Sequence, residues 1–205
     1  MNDPNHWNQI YSSVPANNVG WYKSHLETPL AWIESLDLDP QEPIIDVGGG
    51  ASTLVDDLLG KGYKNLTVLD LSKSAIQITQ KRLGDASSAV TWLVGDVTEI
   101  ELPYQYYFLW HDRAVFHFLI EPETQQKYKE ALLTSLRIGG NFIIGTFTPE
   151  APPQCSGLPV QRYDTDLLAE TFGDKFELKH HRNEMHTTPG GVKQSYVYCL
   201  FQRTA

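Results

Sequence analysis

Five short, largely apolar runs punctuate the first three quarters of the chain: Ile44 to Val47, Leu66 to Leu69, Val90 to Val94, Tyr106 to Trp110 and Asn141 to Phe147. Runs of this length, bounded by turn residues, read as strands buried on both faces. Between them apolar residues recur at helical spacing. Leu54, Val55, Leu58 and Leu59 precede Gly60; Ala75, Ile76, Ile78 and Leu83 precede Gly84; Tyr128, Leu132, Leu133 and Leu136 precede Gly139. A glycine just past the last periodic residue is a helix stop. Alternating strands and helices predict an α/β fold, a doubly wound, mostly parallel sheet with helices on both faces. The third crossover is the exception: only sixteen positions separate Asp96 from Asp112, so a short or irregular helix is expected there. After Phe147 come a Pro-rich loop from Pro149 to Pro159, a helix over Asp164 to Phe172, and strands over Phe176 to Met185 and Val192 to Gln202. Thr188-Pro189-Gly190-Gly191 joins the last two, which predicts a seven-stranded sheet closed by an antiparallel hairpin.

Length and charge narrow the class. The chain has 205 residues, enough for one domain with one sizeable core. Its expected parts are an N-terminal helical lid or cap over 1–36, a cofactor-binding core over 37–148, and a substrate loop with the terminal hairpin over 149–205. Sixteen basic against twenty-five acidic residues give a net charge of -9, which argues against nucleic acid or an anionic membrane as the main partner. No apolar run approaches the 18 or so residues of a spanning helix, and no leader pattern opens the chain. Cys155 and Cys199, the two thiols, fit a reducing cytoplasm rather than a disulfide framework. Composition leaves the oligomeric state open.

Chemistry concentrates at Ile44 to Thr53, IIDVGGGAST, where a buried strand runs into three glycines and then a helix. In open α/β sheets ligands lie beyond the carboxyl ends of strands, and glycines there admit close backbone approach. A dinucleotide fingerprint starting at Gly48 needs glycine at 53, where threonine stands, and no Gly-Lys-Ser/Thr P-loop is present. From Ser24 to Gly60 the chain has no Lys or Arg, a poor setting for phosphate. Carboxylates recur instead at the strand ends: Asp46, Asp70, Asp96 and Asp112. Four acids beside a glycine turn suit a ligand with hydroxyls, an amine and positive charge, such as a nucleoside bearing a sulfonium. The gaps of 24 and 26 positions between Asp46, Asp70 and Asp96 each fit one helix plus one strand, which makes the set more specific than any member.

With these residues the chain resembles the class I S-adenosylmethionine-dependent methyltransferases from Trp7 to Gln202. The resemblance implies S-adenosyl-L-methionine as cofactor. It places the D-x-G-x-G residues Asp46, Gly48 and Gly50, with Gly49, at the methionine end. Asp70 would take the ribose diol, Leu71 would lie against the adenine, and Asp96 with Val97 would meet the adenine edge. Ser52 stands where the motif's third glycine is usual. In the family the aromatic N-terminal segment folds over the cofactor, which implies contacts from Tyr11 and Trp21.

Methyl transfer is an in-line displacement, so a nucleophile must be aligned behind the methyl group and, where needed, lose a proton. Tyr106 to Leu119, YYFLWHDRAVFHFL, resembles a D-[RK]-[AG]-x-F-[HD] element of a subset that includes protein-lysine and small-molecule enzymes. It offers His111, Asp112, Arg113 and His117 as catalytic candidates. Asp112 either pairs with a cationic acceptor, acts as base, or caps a helix beginning near Arg113. His111 or His117 is either base or packed core imidazole, and Arg113 either orients an anionic group or pairs with an acid. Cys155 is either a substrate contact or a passive small residue. His180, His181 and His186 split between two strand faces, so no metal is expected. The expected reaction is methyl transfer to a small thiol, amine or carboxylate, with a protein lysine as the alternative acceptor. The tilt to small molecules rests on the want of a large docking domain. A non-catalytic nucleoside-binding module is the reading from another class.

Overall fold

The computed structural model describes residues 3–205. Met1 and Asn2, the start of the expected cap, lie outside the described residues. The seven-stranded sheet is built from β1 (Ile44–Val47), β2 (Leu66–Asp70), β3 (Val90–Val94), β4 (Tyr107–Arg113), β5 (Leu136–Phe147), β8 (Phe176–Thr187) and β9 (Lys193–Arg203). Gln154–Cys155 and Leu158–Pro159, β6 and β7, form a separate two-stranded ladder within the Pro-rich loop. The order is β3-β2-β1-β4-β5-β9-β8. The first five strands pair in parallel, and β9 runs antiparallel to both β5 and β8. The direction of winding reverses between β1 and β4, which puts the crevice at the carboxyl ends of those two strands.

Period-two alternation divides the sheet between two helical layers. Ile45, Val47, Trp110, Phe142 and Ile144 face α5 (Pro122–Ser135) and α6 (Thr165–Phe172), where they meet Tyr128, Leu132, Leu168 and Phe172. Ile44, Leu66, Val68, Leu109 and Ile143 face α2 (Glu27–Ser35) and α3 (Leu54–Gly60), against Leu30, Ile33, Leu54 and Leu58. Helix ends follow local chemistry. Ser72 caps α4 (Lys73–Leu83) by accepting from the Ala75 amide, and Asp164 caps α6 by accepting from Leu167. Gly84 and Gly173 stop those helices at positive φ.

Three expectations change. The 1–36 segment is a cap only in part. Its first helix, α1 (Pro4–Ser13), has no buried residue, whereas α2 buries Thr28, Leu30 and Ile33 as a layer of the main core. Strand β4 ends at Arg113 rather than Trp110, and no helix begins there. Ala114 takes a positive φ of 66°, Phe116–Phe118 form one 3-10 turn, and the next α-helix waits for Pro122. The crossover between β3 and β4 consists of turns.

Candidate active site

The bend after β1 is held by groups that leave no room for side chains. A Cβ on Gly49 would collide with the Asp46 carboxylate. At Gly50 it would lie 2.5 Å from Asp70 Oδ2 and 2.6 Å from Ala75 Cβ. Gly48 has φ 72°, where glycine is strongly favoured. Thr79 Oγ1 donates to the Gly50 carbonyl at 2.6 Å, and an Arg82 guanidinium N–H donates to that of Ser52, also at 2.6 Å, so α4 pins the bend from behind. Gly50→Ala is therefore expected to lower stability by about 2 kcal/mol. A melt of purified protein checks it.

Asp70, at the end of β2, accepts from Gly50 N at 2.9 Å and from Ser72 N at 2.7 Å. A carboxylate has about four lone-pair sites, so two remain for hydroxyls. Burial pushes its carboxyl up to about 6, against the lowering effect of the Ser72 and Gly50 amides. Asp96, after β3, accepts from Thr98 N and Thr98 Oγ1 at 2.9 and 2.8 Å through one oxygen. Leu71, Asp96 and Val97 line one cavity with Asp70 and Gly48, about 760 Å³ of empty space open to solvent.

The opposite wall is aromatic. Trp7 packs edge-on against Phe118 at 5.2 Å and against Trp21 at 5.9 Å, and Trp21 Nε1 donates to Tyr11 Oη at 3.1 Å. Asn8 fastens α1 over the cavity: its Oδ1 accepts from Ser72 Oγ at 2.8 Å and Ser74 N at 3.1 Å. Neither Trp7 nor Asn8 stands among the sequence-derived site residues. Trp7 carried an aromatic signal; a lone Asn in a polar terminal helix carries none. Cys155 also faces this cavity, its thiol pushed up to about 11 by burial.

The candidates from β4 separate by the face they occupy. His111 lines a second cavity with Asp46, and Arg113, like Gly48 and Trp21, lines both this one and the first. His111 is the register partner of Asp46, and its Nδ1 lies 2.7 Å from Asp46 Oδ1. Arg113 donates to Tyr198 Oη and to the Trp21 carbonyl, both at 2.8 Å, and stacks 4.5 Å above the Tyr196 ring. Asp112 points through the opposite sheet face. It accepts from Val115 N at 2.9 Å, Phe116 N at 3.1 Å and Tyr128 Oη at 2.6 Å. His117 is fully buried between Phe118 and Phe147, and burial lowers it to about 3, which keeps it neutral. Neither Asp112 nor His117 lines either cavity. The three histidines of β8 also part company. His180 stacks on Trp32, His181 lies 3.4 Å from Thr165 Oγ1, and His186 Nε2 bonds the Gly20 carbonyl at 2.8 Å.

These residues fit a sulfonium nucleoside with an amino-acid tail: a glycine cradle, a buried carboxylate with acceptor sites to spare, and buried polar atoms without partners in Asp46, His111 and Arg113. A family model described as a methyltransferase domain matches residues 44–140. Among relatives, the chain is 24% identical over 204 residues to EEF1A lysine methyltransferase 2 of Danio rerio, covering 96% of this chain and 82% of that protein. It is 22% identical over 144 residues to the eEF1A lysine and N-terminal methyltransferase of Mus musculus, covering 67% of this chain and 20% of the relative, about a fifth of its length. In fold it is similar to a SAM-dependent methyltransferase from Anabaena variabilis, with TM-score 0.73 and 18% identity, covering 98% of this chain and 94% of that one. The chain has the fold of the class I methyltransferases, and the segment that matches the methyltransferase-domain model, residues 44–140, holds the glycine turn, Asp70, Asp96 and the end of β4. Among the described residues no helix is long and apolar enough to cross a membrane.

Proposed function

We propose that the protein transfers the methyl group of S-adenosylmethionine to the ε-amine of a protein lysine. The observation that carries this reading is the aromatic wall of Trp7, Trp21 and Phe118 facing the glycine turn. Ring faces attract alkylammonium groups and enclose an aliphatic stem without demanding hydrogen bonds. Relatives whose names specify lysine methylation support the same acceptor over the small molecule suggested by the chain's size.

The cofactor supplies the electrophile, a methyl group on a positively charged sulfur. Asp70 and the glycine cradle fix the nucleoside, so the reacting carbon has one position. Trp7, on α1, excludes water from that position, held there by the two Asn8 bonds. Asp112 and His117 are committed to the core, so the site works by alignment, and the amine attacks as its free base. Incubating the protein with methyl-labelled cofactor and whole cell extract that keeps its small molecules should put label on lysines of a protein band, read as methyl additions by mass spectrometry. Label confined to the small-molecule fraction would refute the reading. Trp7→Ala should lower kcat/KM for the acceptor about tenfold.

A further inference from the structure

Trp21 stands on the wall of both cavities, yet the backbone that carries it has little structure of its own. Residues 19–24 belong to no helix or strand, and among the described residues a single backbone hydrogen bond closes within them, from Tyr22 N to the Val19 carbonyl at 3.1 Å. Side chains from three distant parts of the fold hold this segment instead. His186 of β8 meets the Gly20 carbonyl at 2.8 Å, Arg113 of β4 the Trp21 carbonyl at 2.8 Å, and Thr53, just before α3, the Lys23 carbonyl at 3.0 Å. Glu184 lies two residues from His186 and so on the same face of β8. It takes the Lys23 ammonium at 2.7 Å and the Thr28 hydroxyl at 2.6 Å. A carbonyl only accepts, so His186 donates from Nε2. Burial holds the ring below the ordinary imidazole value, helped by Arg113 and Lys23 and opposed by the Gly20 bond and Glu184, so one neutral tautomer makes the contact. His186 is 3% exposed, and its ring stands edge-on to that of Tyr196, over which Arg113 stacks, so the donors form one packed layer.

We propose that His186 and Glu184 of β8 are positioning residues: by clamping the backbone of residues 20–23 they hold Trp21 as the wall between the two cavities, and they set the affinity of the site through that ring without touching a ligand. The inference rests on the methyltransferase reading, in which Trp21 faces the bound molecules, and it gives the β8–β9 hairpin a part in binding. An irregular segment opens at low cost unless tertiary contacts hold it, so removing a clamp loosens Trp21 while leaving the ring in the chain. By calorimetry on the full chain, Trp21→Ala should weaken S-adenosylhomocysteine about tenfold and His186→Ala about fivefold. In the Trp21→Ala background His186→Ala should add less than about twofold, because the clamp then has no ring to position. His186→Gln, whose amide can donate to the Gly20 carbonyl, should bind within about twofold of wild type. Amide exchange over residues 19–24, read by mass spectrometry, should rise in His186→Ala and return toward wild type in His186→Gln. Where His186→Ala folds poorly, the isosteric Glu184→Gln tests the clamp through Lys23: about threefold weaker binding alone, and no further loss in the Trp21→Ala background. Equal losses with and without Trp21, or unchanged exchange over residues 19–24, would overturn the positioning role. So would wild-type affinity in Trp21→Ala, an outcome that leaves the methyltransferase reading standing. If wild type binds no S-adenosylhomocysteine, that reading falls and the positioning role with it.

Discussion

Asp70→Ala is expected to weaken S-adenosylhomocysteine binding by at least about a hundredfold, because each charge-assisted hydrogen bond is worth about 1.5–3 kcal/mol and a ribose diol makes two. The same carboxylate also holds the amides of Gly50 and Ser72, so its loss loosens the glycine bend as well as removing the ligand's partner. Its ionisation gives the prediction a pH signature. Burial raises the folded-state value to about 6, above the ordinary 3.8. Protonation removes acceptor capacity, so cofactor affinity should fall as pH drops below about 6, and Asp70→Ala should abolish that dependence. Apo stability runs the other way. With the folded value above the unfolded one, the native state holds the extra proton between them. The contribution is fully present below pH 3.8 and is lost as pH rises through 6, about 3 kcal/mol at 1.36 kcal/mol per unit. Calorimetry with S-adenosylhomocysteine and melts of the apo protein from pH 7.5 to 5 should move in opposite directions. Flat affinity across that range would show that another group holds the diol.

Much of this site is legible in the sequence because its parts are local. The glycine triplet follows a fully buried strand, and each of Asp70 and Asp96 sits where a strand period ends, so spacing alone brings them to one edge. What spacing leaves open is decided by side-chain direction. His111, Asp112 and Arg113 are consecutive, and a strand sends alternate residues to opposite faces. A reading that ends β4 at Trp110 cannot separate them. Extension to Arg113 puts His111 beside Asp46 in register and turns Asp112 into the core. The partners that settle their roles, Tyr128, Tyr198 and the Trp21 carbonyl, lie 16, 85 and 92 positions from the residues they meet. Such tertiary contacts leave no trace in local periodicity. The same holds for Asn8, whose function comes from reaching Ser72 across 64 positions.

The largest effect on stability is expected at Asp112. Trp110 Nε1 donates to Tyr128 Oη at 3.0 Å, Tyr128 donates to Asp112 Oδ2, and the carboxylate caps the amides of Val115 and Phe116, all within the core. Asp112→Ala strands the Tyr128 hydroxyl and two backbone N–H groups away from water, at a cost of about 3–5 kcal/mol. Asp112→Asn keeps an acceptor and the volume, and Tyr128 Oη can turn to accept the new amide N–H, so a loss of about 1–2 kcal/mol is expected. Tyr128→Phe removes one stranded donor in advance; combined with Asp112→Ala it should cost less than the sum of the two single changes, the mark of a shared network. Urea unfolding followed by circular dichroism measures all four proteins. The chemical consequence separates two roles that the sequence leaves open. A carboxylate serving as base or amine partner would, as Asn, leave the fold intact and abolish turnover. A buried strut gives the reverse: Asp112→Asn should retain most methyl transfer at 20 °C, assayed with folded protein, while its urea midpoint falls.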